Sequence, residues 1–547
     1  MSSRHRGADA LVRAMVNAGV RRIFTLSGNH IMSIFDAALD AGIALVHVRH
    51  EAAAVHMADA WARLTGEPGI ALVTGGPGHA NAVGALYTAA MAESAVVLLS
   101  GHAPNDQLGT GAFQEMRQAE IAAPLCKLAM TSPHADALAP DLATAMRTAR
   151  SGRRGPVHLS LPTDCLDGDA DMTRLPAADA FAAETMALDA AVADAMLARL
   201  RAAKRPLILT GPTLMTCRGR DLALRLQDAT RIAVVGTESP RGLADACLGG
   251  FAQVLTQADC VLLLGKRLDF TLRFGRPPAF ATGCEFLQID ADDDEIERAG
   301  RAVGAQRTAR ARAEPFAAAD MLIRRALDKA AANSAWLDEV LAAIAYRPPG
   351  WSGATASQPG RLHPLQALRP LQAVLDAHAD SVLIMDGGEF SQWAQACLTA
   401  PNRVTNGPAG AIGAGLPFAV AARIARPDAP VIVIMGDGTF GFHPAEIDTG
   451  VRYGLPFVCV LGNDARWNAE YQIQLRDYGP NRVNGCELLP TRYHEVARAF
   501  GGHGELVTRA EEIAPAVRRA MASGLPACIN VTLEGQAAPS FVLPNVR

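Results

Sequence analysis

The chain lacks the features that assign many proteins at sight. Its 547 residues carry 51 Lys and Arg against 55 Asp and Glu, a formal charge of -4. With no basic surplus, no nucleic-acid partner is expected. Ten cysteines are scattered without a Cys-x-x-Cys pair or a His/Cys cluster, which argues against structural zinc and against a disulfide framework. No run approaches the ~18 consecutive apolar residues of a membrane span. The opening Met1-Ser-Ser-Arg-His-Arg-Gly7 leads into an amphipathic helix and not into an apolar leader core. A soluble cytoplasmic protein with no membrane partner is therefore expected. A short-period repeat is also missing. Disorder is excluded by a composition that is half apolar and only 19% charged, and 547 residues exceed what one core accommodates, so three domains are expected.

What the chain does have is a regular alternation of apolar strands and helical segments. Arg22 to Leu26, Gly69 to Thr74, Ala95 to Ser100 and Pro156 to Pro162 read as parallel strands separated by helices. A second series starts at Pro206-Leu-Ile-Leu-Thr210 and continues through Asp259 to Gly265 and Phe286 to Asp290. The acidic, Ala-rich stretch 167–187 and the Pro/Gly/Ser-rich stretch 347–360 read as linkers. The predicted class is α/β, with three doubly wound parallel-sheet domains at 1–168, 188–330 and 362–547.

The most informative stretch is Val431-Ile-Val-Ile-Met-Gly-Asp-Gly-Thr-Phe440, followed by Val458-Cys-Val-Leu-Gly-Asn-Asp464. Each begins as a β-branched apolar run, the pattern of a buried parallel strand. Asp437 and Asp464 both fall just past strand ends, where open α/β sheets bind ligands. Two carboxylates beside glycine amides suit a Mg²⁺ ion carrying a diphosphate. A lone Gly-Asp-Gly would be an ordinary strand-to-helix turn. Far away, Val46-His-Val-Arg-His-Glu-Ala-Ala-Ala54 reads as a short strand running straight into an Ala-rich helix. Glu51 at that junction is either a helix-start acid favoured by the helix dipole or a partly desolvated carboxylate suited to proton exchange.

Taken together, these segments resemble the thiamine diphosphate (ThDP) signature, which opens with Gly-Asp-Gly and closes roughly thirty residues later with Asn-Asn or Asn-Asp. The order of segments over essentially the whole chain resembles the ThDP-dependent decarboxylase and carboligase superfamily, with benzaldehyde lyase, 2-hydroxyacyl-CoA lyases and acetolactate-synthase-like proteins nearest. Gly28-Asn-His-Ile31, Arg49-His-Glu-Ala-Ala-Ala54 and Gly479-Pro-Asn-Arg-Val483 carry the likeness.

The resemblance implies pyrimidine-binding, central and diphosphate-binding domains in that order. It implies that Glu51 hydrogen-bonds the aminopyrimidine ring and helps remove the thiazolium C2 proton, giving the nucleophilic ylide. His30 and Gln114 match residues near the substrate hydroxyl; the plainer readings are a loop histidine bonded to backbone and a solvated amide. Catalytic roles are therefore expected of Glu51, His30 and Gln114. Cofactor contacts are expected from Glu51, Asn81, Gly388, Asn406, Gly410, Ala411, Ile412, Gly436, Asp437, Gly438, Thr439, Asp464 and Trp467. Ile412 is either the apolar wedge under the bent cofactor or simple core packing. Metal ligands are expected to be Asp437, Asp464 and the Arg466 carbonyl; Asp464 departs from the asparagine of benzaldehyde lyase, and Asn463 is the alternative.

The implied activity is C–C cleavage or ligation of 2-hydroxy ketones, aldehydes or 2-hydroxyacyl thioesters. An acetolactate-synthase-like 2-oxo acid decarboxylase/ligase is one alternative, and a non-catalytic ThDP-binding protein another. FAD or ADP in the central domain is compatible with the resemblance but not expected, since no Gly-x-Gly-x-x-Gly occurs there. The expected partners are a small-molecule substrate and further copies of the chain, in a homodimer at least and most often a homotetramer.

Overall fold

The computed structural model describes residues 5–326 and 334–544. Its strands coincide with the apolar runs, because a strand covered by helices on both faces must be apolar throughout. The first sheet contains β1 (Arg22–Thr25), β2 (Ala44–His47), β3 (Gly69–Val73), β4 (Val96–His102), β5 (Ala129–Thr131) and β6 (Val157–Pro162). Their order is β2-β1-β3-β4-β6-β5. The second sheet contains β7 (Pro206–Thr210), β8 (Val234–Gly236), β9 (Cys260–Leu264), β10 (Glu285–Asp290) and β11 (Arg307–Arg312), in the order β11-β10-β9-β7-β8. The third contains β12 (Val382–Asp386), β13 (Asn402–Thr405), β14 (Val431–Gly436), β15 (Val458–Asn463), β16 (His503–Val507) and β17 (Ala527–Thr532), in the order β13-β12-β14-β15-β17-β16. Every strand pair is parallel. This is the α/β class with three parallel sheets.

Two compact units emerge from the contacts. One comprises the chain to Glu184 with Val420–Ala425, the other Thr185–Ala419 with Arg426 onward. In the first, the helices Gly7–Asn17 and Leu138–Arg150 send Leu11, Met15, Leu142 and Met146 against Leu72, Leu99 and Leu159 of the sheet. The second holds separate cores for its two sheets. The second sheet has one on each face, around Leu207, Phe251, Leu263 and Phe286 and around Leu197, Ile208, Leu262 and Leu322, and the third sheet's includes Leu368, Leu383, Ile434 and Ile529.

Three local expectations need correction. The stretch 167–187 is no free linker, because Phe181 is buried in the first core. Likewise, 347–360 is fastened down: Trp351 packs on Trp393 with ring centroids 5.0 Å apart, and Ser357 N–H donates to Glu534 at 2.8 Å. Finally, β2 does not run straight into the next helix. It ends at His47, and His50 is the N-cap, its Nδ1 accepting the Ala52 N–H at 3.1 Å.

Candidate active site

In the first sheet the expected residues gather on the turn that follows β3. Glu51 opens the helix Glu51–Thr65 and is buried. Its Oε2 accepts the Asn81 amide at 3.0 Å, and Asn81 belongs to the helix Pro77–Met91 that starts from the same turn. His30 lies in the 3₁₀ turn after β1, buried, with Nδ1 hydrogen-bonded to Thr74 Oγ1 at 3.0 Å and its ring stacked on Phe113. Burial pushes the imidazole below its ordinary pKa, which the Phe113 backbone partly opposes. A neutral ring able to give or take a proton results.

Gln114 adopts a left-handed backbone, φ 57°. A Cβ on Gly76 would stand 2.8 Å from the Gln114 backbone oxygen, so only glycine lets these two loops meet. The Glu115 carboxylate accepts the N–H groups of Gly109, Gly111 and Ala112, tying the loop into a compact knot. Gln118 went unnoticed in the sequence. Its buried amide accepts the Gly76 N–H at 2.8 Å and donates to Gly101 O at 3.1 Å and Ser160 Oγ at 3.2 Å, lashing three strand ends together. Nothing in local spacing marks such a residue.

The third sheet offers a different chemistry at its strand ends. Asp437 starts the short helix Asp437–Phe440 directly after β14, with Thr439 Oγ1 donating back to Gly436 O at 2.9 Å. Burial raises the Asp437 carboxyl to about 6, against the pull of the Gly438, Asp437, Ala465 and Arg466 amides. Its Oδ2 is nevertheless buried without a partner. Asp464 follows β15 and is pushed up to about 7, by burial first and by the Asp437 carboxylate second. The Ala465 backbone is left-handed, φ 59°. Leu488 N–H donates to Ala465 O at 2.7 Å and Trp467 N–H to Cys486 O at 2.8 Å, which pins the segment carrying Arg466. A Cβ on Gly438 would stand 2.6 Å from the Trp467 ring. The Asn463 amide donates to Thr491 O at 3.0 Å, while its Oδ1 is buried without a partner.

Among the described residues no group of three or more His, Cys, Asp or Glu is arranged to hold a metal ion. The pair Asp437 and Asp464 could hold one only with help from backbone oxygen and a ligand's own oxygens. A buried Asp437 carboxylate with one unpartnered oxygen and a half-buried Asp464 carboxylate fit a hard divalent cation that arrives with a diphosphate.

A cavity of ≈ 310 Å³ adjoins the end of β12, where the sheet order reverses between β12 and β14. Gly388, Asn406, Gly410 and Ile412 line it, with Pro240 and Arg241 from the second sheet's side. Asp437, Asp464, Trp467, Gly436, Gly438, Thr439 and Ala411 are not among its lining residues. A Cβ on Gly387 would meet both Ile412 and Thr439 at 2.7 Å, so these groups converge on one turn. Asp386, unremarked in the sequence, is fully buried at the end of β12. Its carboxylate accepts Asn406 Nδ2 at 2.7 Å, Gly413 N–H at 3.1 Å and Gly415 N–H at 2.6 Å. Asn406 also donates to Ala411 O. The signal was there: like Asp437, Asp386 is an acid ending an apolar strand.

The first sheet thus presents the pair Glu51 and Asn81 at its strand ends, and the third the carboxylates Asp437 and Asp464. Models of the thiamine pyrophosphate enzymes match three segments: the N-terminal TPP binding domain over residues 5–121, the central domain over 193–314 and the C-terminal TPP binding domain over 386–531. A probable acetolactate synthase of Mycobacterium bovis is 32% identical over 98% of this chain and 96% of its own. The 2-hydroxyacyl-CoA lyase 2 of Bos taurus is 32% identical over 93% of this chain and 86% of its own. A 2-hydroxyacyl-CoA lyase of Oryza sativa subsp. japonica is 28% identical over 97% and 96%. The chain belongs to the thiamine pyrophosphate enzyme family, and is a ThDP-dependent enzyme of the lyase and carboligase kind. Among the described residues no helix is long and apolar enough to cross a membrane.

Proposed function

We propose that the protein is a ThDP- and Mg²⁺-dependent lyase/carboligase acting on 2-hydroxy ketones, aldehydes or 2-hydroxyacyl thioesters, in domains spanning 1–168, 188–330 and 362–547. The cofactor, when bound, supplies an acidic C2 position whose deprotonated form adds to carbonyl groups and accepts the electron pair of a breaking C–C bond. Glu51 holds and relays the proton of the aminopyrimidine ring, and Asn81 fixes the Glu51 carboxylate for that task. Neutral His30, steadied by Thr74 and Phe113, takes the hydroxyl proton as the C–C bond opens, and Gln114 orients the same hydroxyl. Asp437, Asp464 and the Arg466 carbonyl hold Mg²⁺; the remaining cofactor contacts come from Gly388, Asn406, Gly410, Ala411, Ile412, Gly436, Gly438, Thr439 and Trp467.

The observation that carries this reading is the buried, neutral His30 on the Thr74 turn, a proton-exchanging group that cleavage of a 2-hydroxy ketone needs. A second reading, 2-oxo acid decarboxylation followed by ligation, draws support from the Mycobacterium bovis relative named as a probable acetolactate synthase. A panel of pyruvate, benzoin and a 2-hydroxyacyl-CoA, each with ThDP and Mg²⁺, separates the two. The first reading predicts cleavage of benzoin or the thioester and no CO₂ from pyruvate; CO₂ release from pyruvate supports the second.

The active unit is a homodimer or a tetramer of two such dimers, located in the cytoplasm, with Glu51 of one subunit completing the site of another. Mixing inactive Glu51→Gln and Asp437→Ala chains under subunit exchange then restores up to about half of normal activity per mixed dimer, because one of its two sites carries both lesions and the other neither. No recovery despite exchange contradicts this assembly.

A further inference from the structure

A larger cavity, ≈ 600 Å³, opens beside the C-terminal end of the helix Gly388–Cys397 and the start of β13. The residues expected to bind the cofactor do not line it. Its charge is one-sided: Arg347, Arg369 and Arg403 line it and no Asp or Glu does. Two of these arginines are also structural. Arg347 donates to Ala396 O and, through Nη1, to Ile344 O and Tyr346 O at 2.8 Å. Arg369 donates to Trp351 O and to Ser352 O at 3.1 Å, yet remains exposed.

Arg403 is different. Its Nε and Nη2 are buried without a hydrogen-bond partner. Glu238 Oε1 lies 3.7 Å from Nη2, too far for a hydrogen bond, and also faces Arg220 at 3.5 Å, while Asp245 and the Cys247 thiol act on the same guanidinium. Gln395, which lines both this cavity and the ≈ 310 Å³ cavity at β12, has its Oε1 buried and unpartnered. Buried guanidinium donors left unmade are costly. Apart from Ser352 and Thr399 the rest of the wall is apolar, with Trp351 as its one aromatic ring.

We propose that this cavity is a second ligand site, separate from the cofactor, for a small phosphate monoester carrying a flat apolar group. The phosphoryl oxygens accept from Arg403 and Arg369. Guanidinium forks match phosphate geometry. The apolar group lies along Trp351. This proposal goes beyond the assignment of the reaction and does not depend on it.

Calorimetric titration of the ThDP- and Mg²⁺-saturated protein tests it, with phenyl phosphate as probe and benzoate, inorganic phosphate and benzyl alcohol as comparisons. Phenyl phosphate is expected to bind once per chain, at least about tenfold tighter than each of the other three. Arg369→Gln and Trp351→Leu, at positions outside the cofactor contacts, are each expected to weaken it about tenfold or more. Arg403→Met should weaken it further; if that chain fails to fold, the other two variants still decide. Benzoate binding as tightly as phenyl phosphate overturns the phosphate assignment. Unchanged affinity in both Arg369→Gln and Trp351→Leu, competition with ThDP, or no binding of phenyl phosphate overturns the site.

Discussion

The first and third sheets share one strand order, and the proposed function gives them opposite chemistry. Read along each series, β2-β1-β3-β4-β6-β5 and β13-β12-β14-β15-β17-β16 are the same path, with the order reversing beside the first strand of each. In both, the segments after the first and third strands face the crevice where such sheets bind ligands. After β1 and β3 the first sheet presents His30, Thr74 and Gly76, with Glu51 beyond β2; of these, His30 and Glu51 are the groups proposed to hold and move protons. After β12 and β14 the third presents Gly387, Gly388 and Asp437, with Asp464 beyond β15: groups proposed to take the diphosphate and its cation. The fold supplies positions, and a few side chains at strand ends decide what is done there.

Glu51→Gln should break the comparison most severely. Removing the carboxylate while keeping the Asn81 contact should cost about 10²–10⁴ in turnover, with ThDP affinity nearly unchanged. Steady-state rates beside ThDP titration check it, and a variant within tenfold of wild type would contradict it.

Asp437→Ala should affect the opposite quantity. Loss of one charged oxygen should raise the Mg²⁺ and ThDP concentrations for half-maximal activity by about ten- to a hundredfold, while saturating cofactor recovers much of the rate. Asp464→Ala should behave similarly. If instead Asn463→Ala abolishes binding and Asp464→Ala does nothing, the second ligand is Asn463.

Gly76→Ala sharpens the comparison within the first sheet. The left-handed backbone, φ 57°, costs about 1–2 kcal/mol with a side chain, and the Cβ would crowd the Gln114 backbone. A lower Tm and a lower kcat with normal Mg²⁺ dependence are expected. A change in Mg²⁺ requirement would mean that the two sheets are not divided as described.

The smallest effect concerns pH. His79 and His158 pack ring to ring, centroids 4.5 Å apart, inside the first unit. Burial lowers His79 to about 4 and His158 well below the ordinary histidine value. Because the folded values are depressed, the unfolded chain takes up these protons first. Their contribution is complete above about 6.5 and is lost as pH falls towards 4. Denaturant unfolding between pH 7 and 5 should show stability declining, and His158→Leu should flatten that decline if the chain folds.

Much of this was legible in the sequence because a doubly covered strand must be apolar and a ligand-binding strand end must break that pattern with Gly or Asp. Asp437, Asp464 and Glu51 stand out for that reason. Asp386 obeys the same rule and was passed over, since it holds a loop together instead of matching a familiar signature. Gln118 and Trp351 were not legible at all: their partners, among them Gly76, Gly101 and Ser160 for Gln118 and Trp393 and Phe541 for Trp351, are distant in sequence, and only the folded chain brings them together. The Pro/Gly-rich run 347–360 shows the same limit, because composition reports the lack of a regular element and says nothing about what its aromatic side chain packs against.

The division of labour between the two sheets is tested most directly by hydrogen–deuterium exchange at C2 of bound ThDP. The measurement is made at saturating Mg²⁺ on wild type, Glu51→Gln and Asp437→Ala. Exchange should fall by about 10² or more in Glu51→Gln and stay near wild type in Asp437→Ala once the cofactor is bound. Wild-type exchange in Glu51→Gln, or a loss in saturated Asp437→Ala as large as that expected for Glu51→Gln, would contradict it.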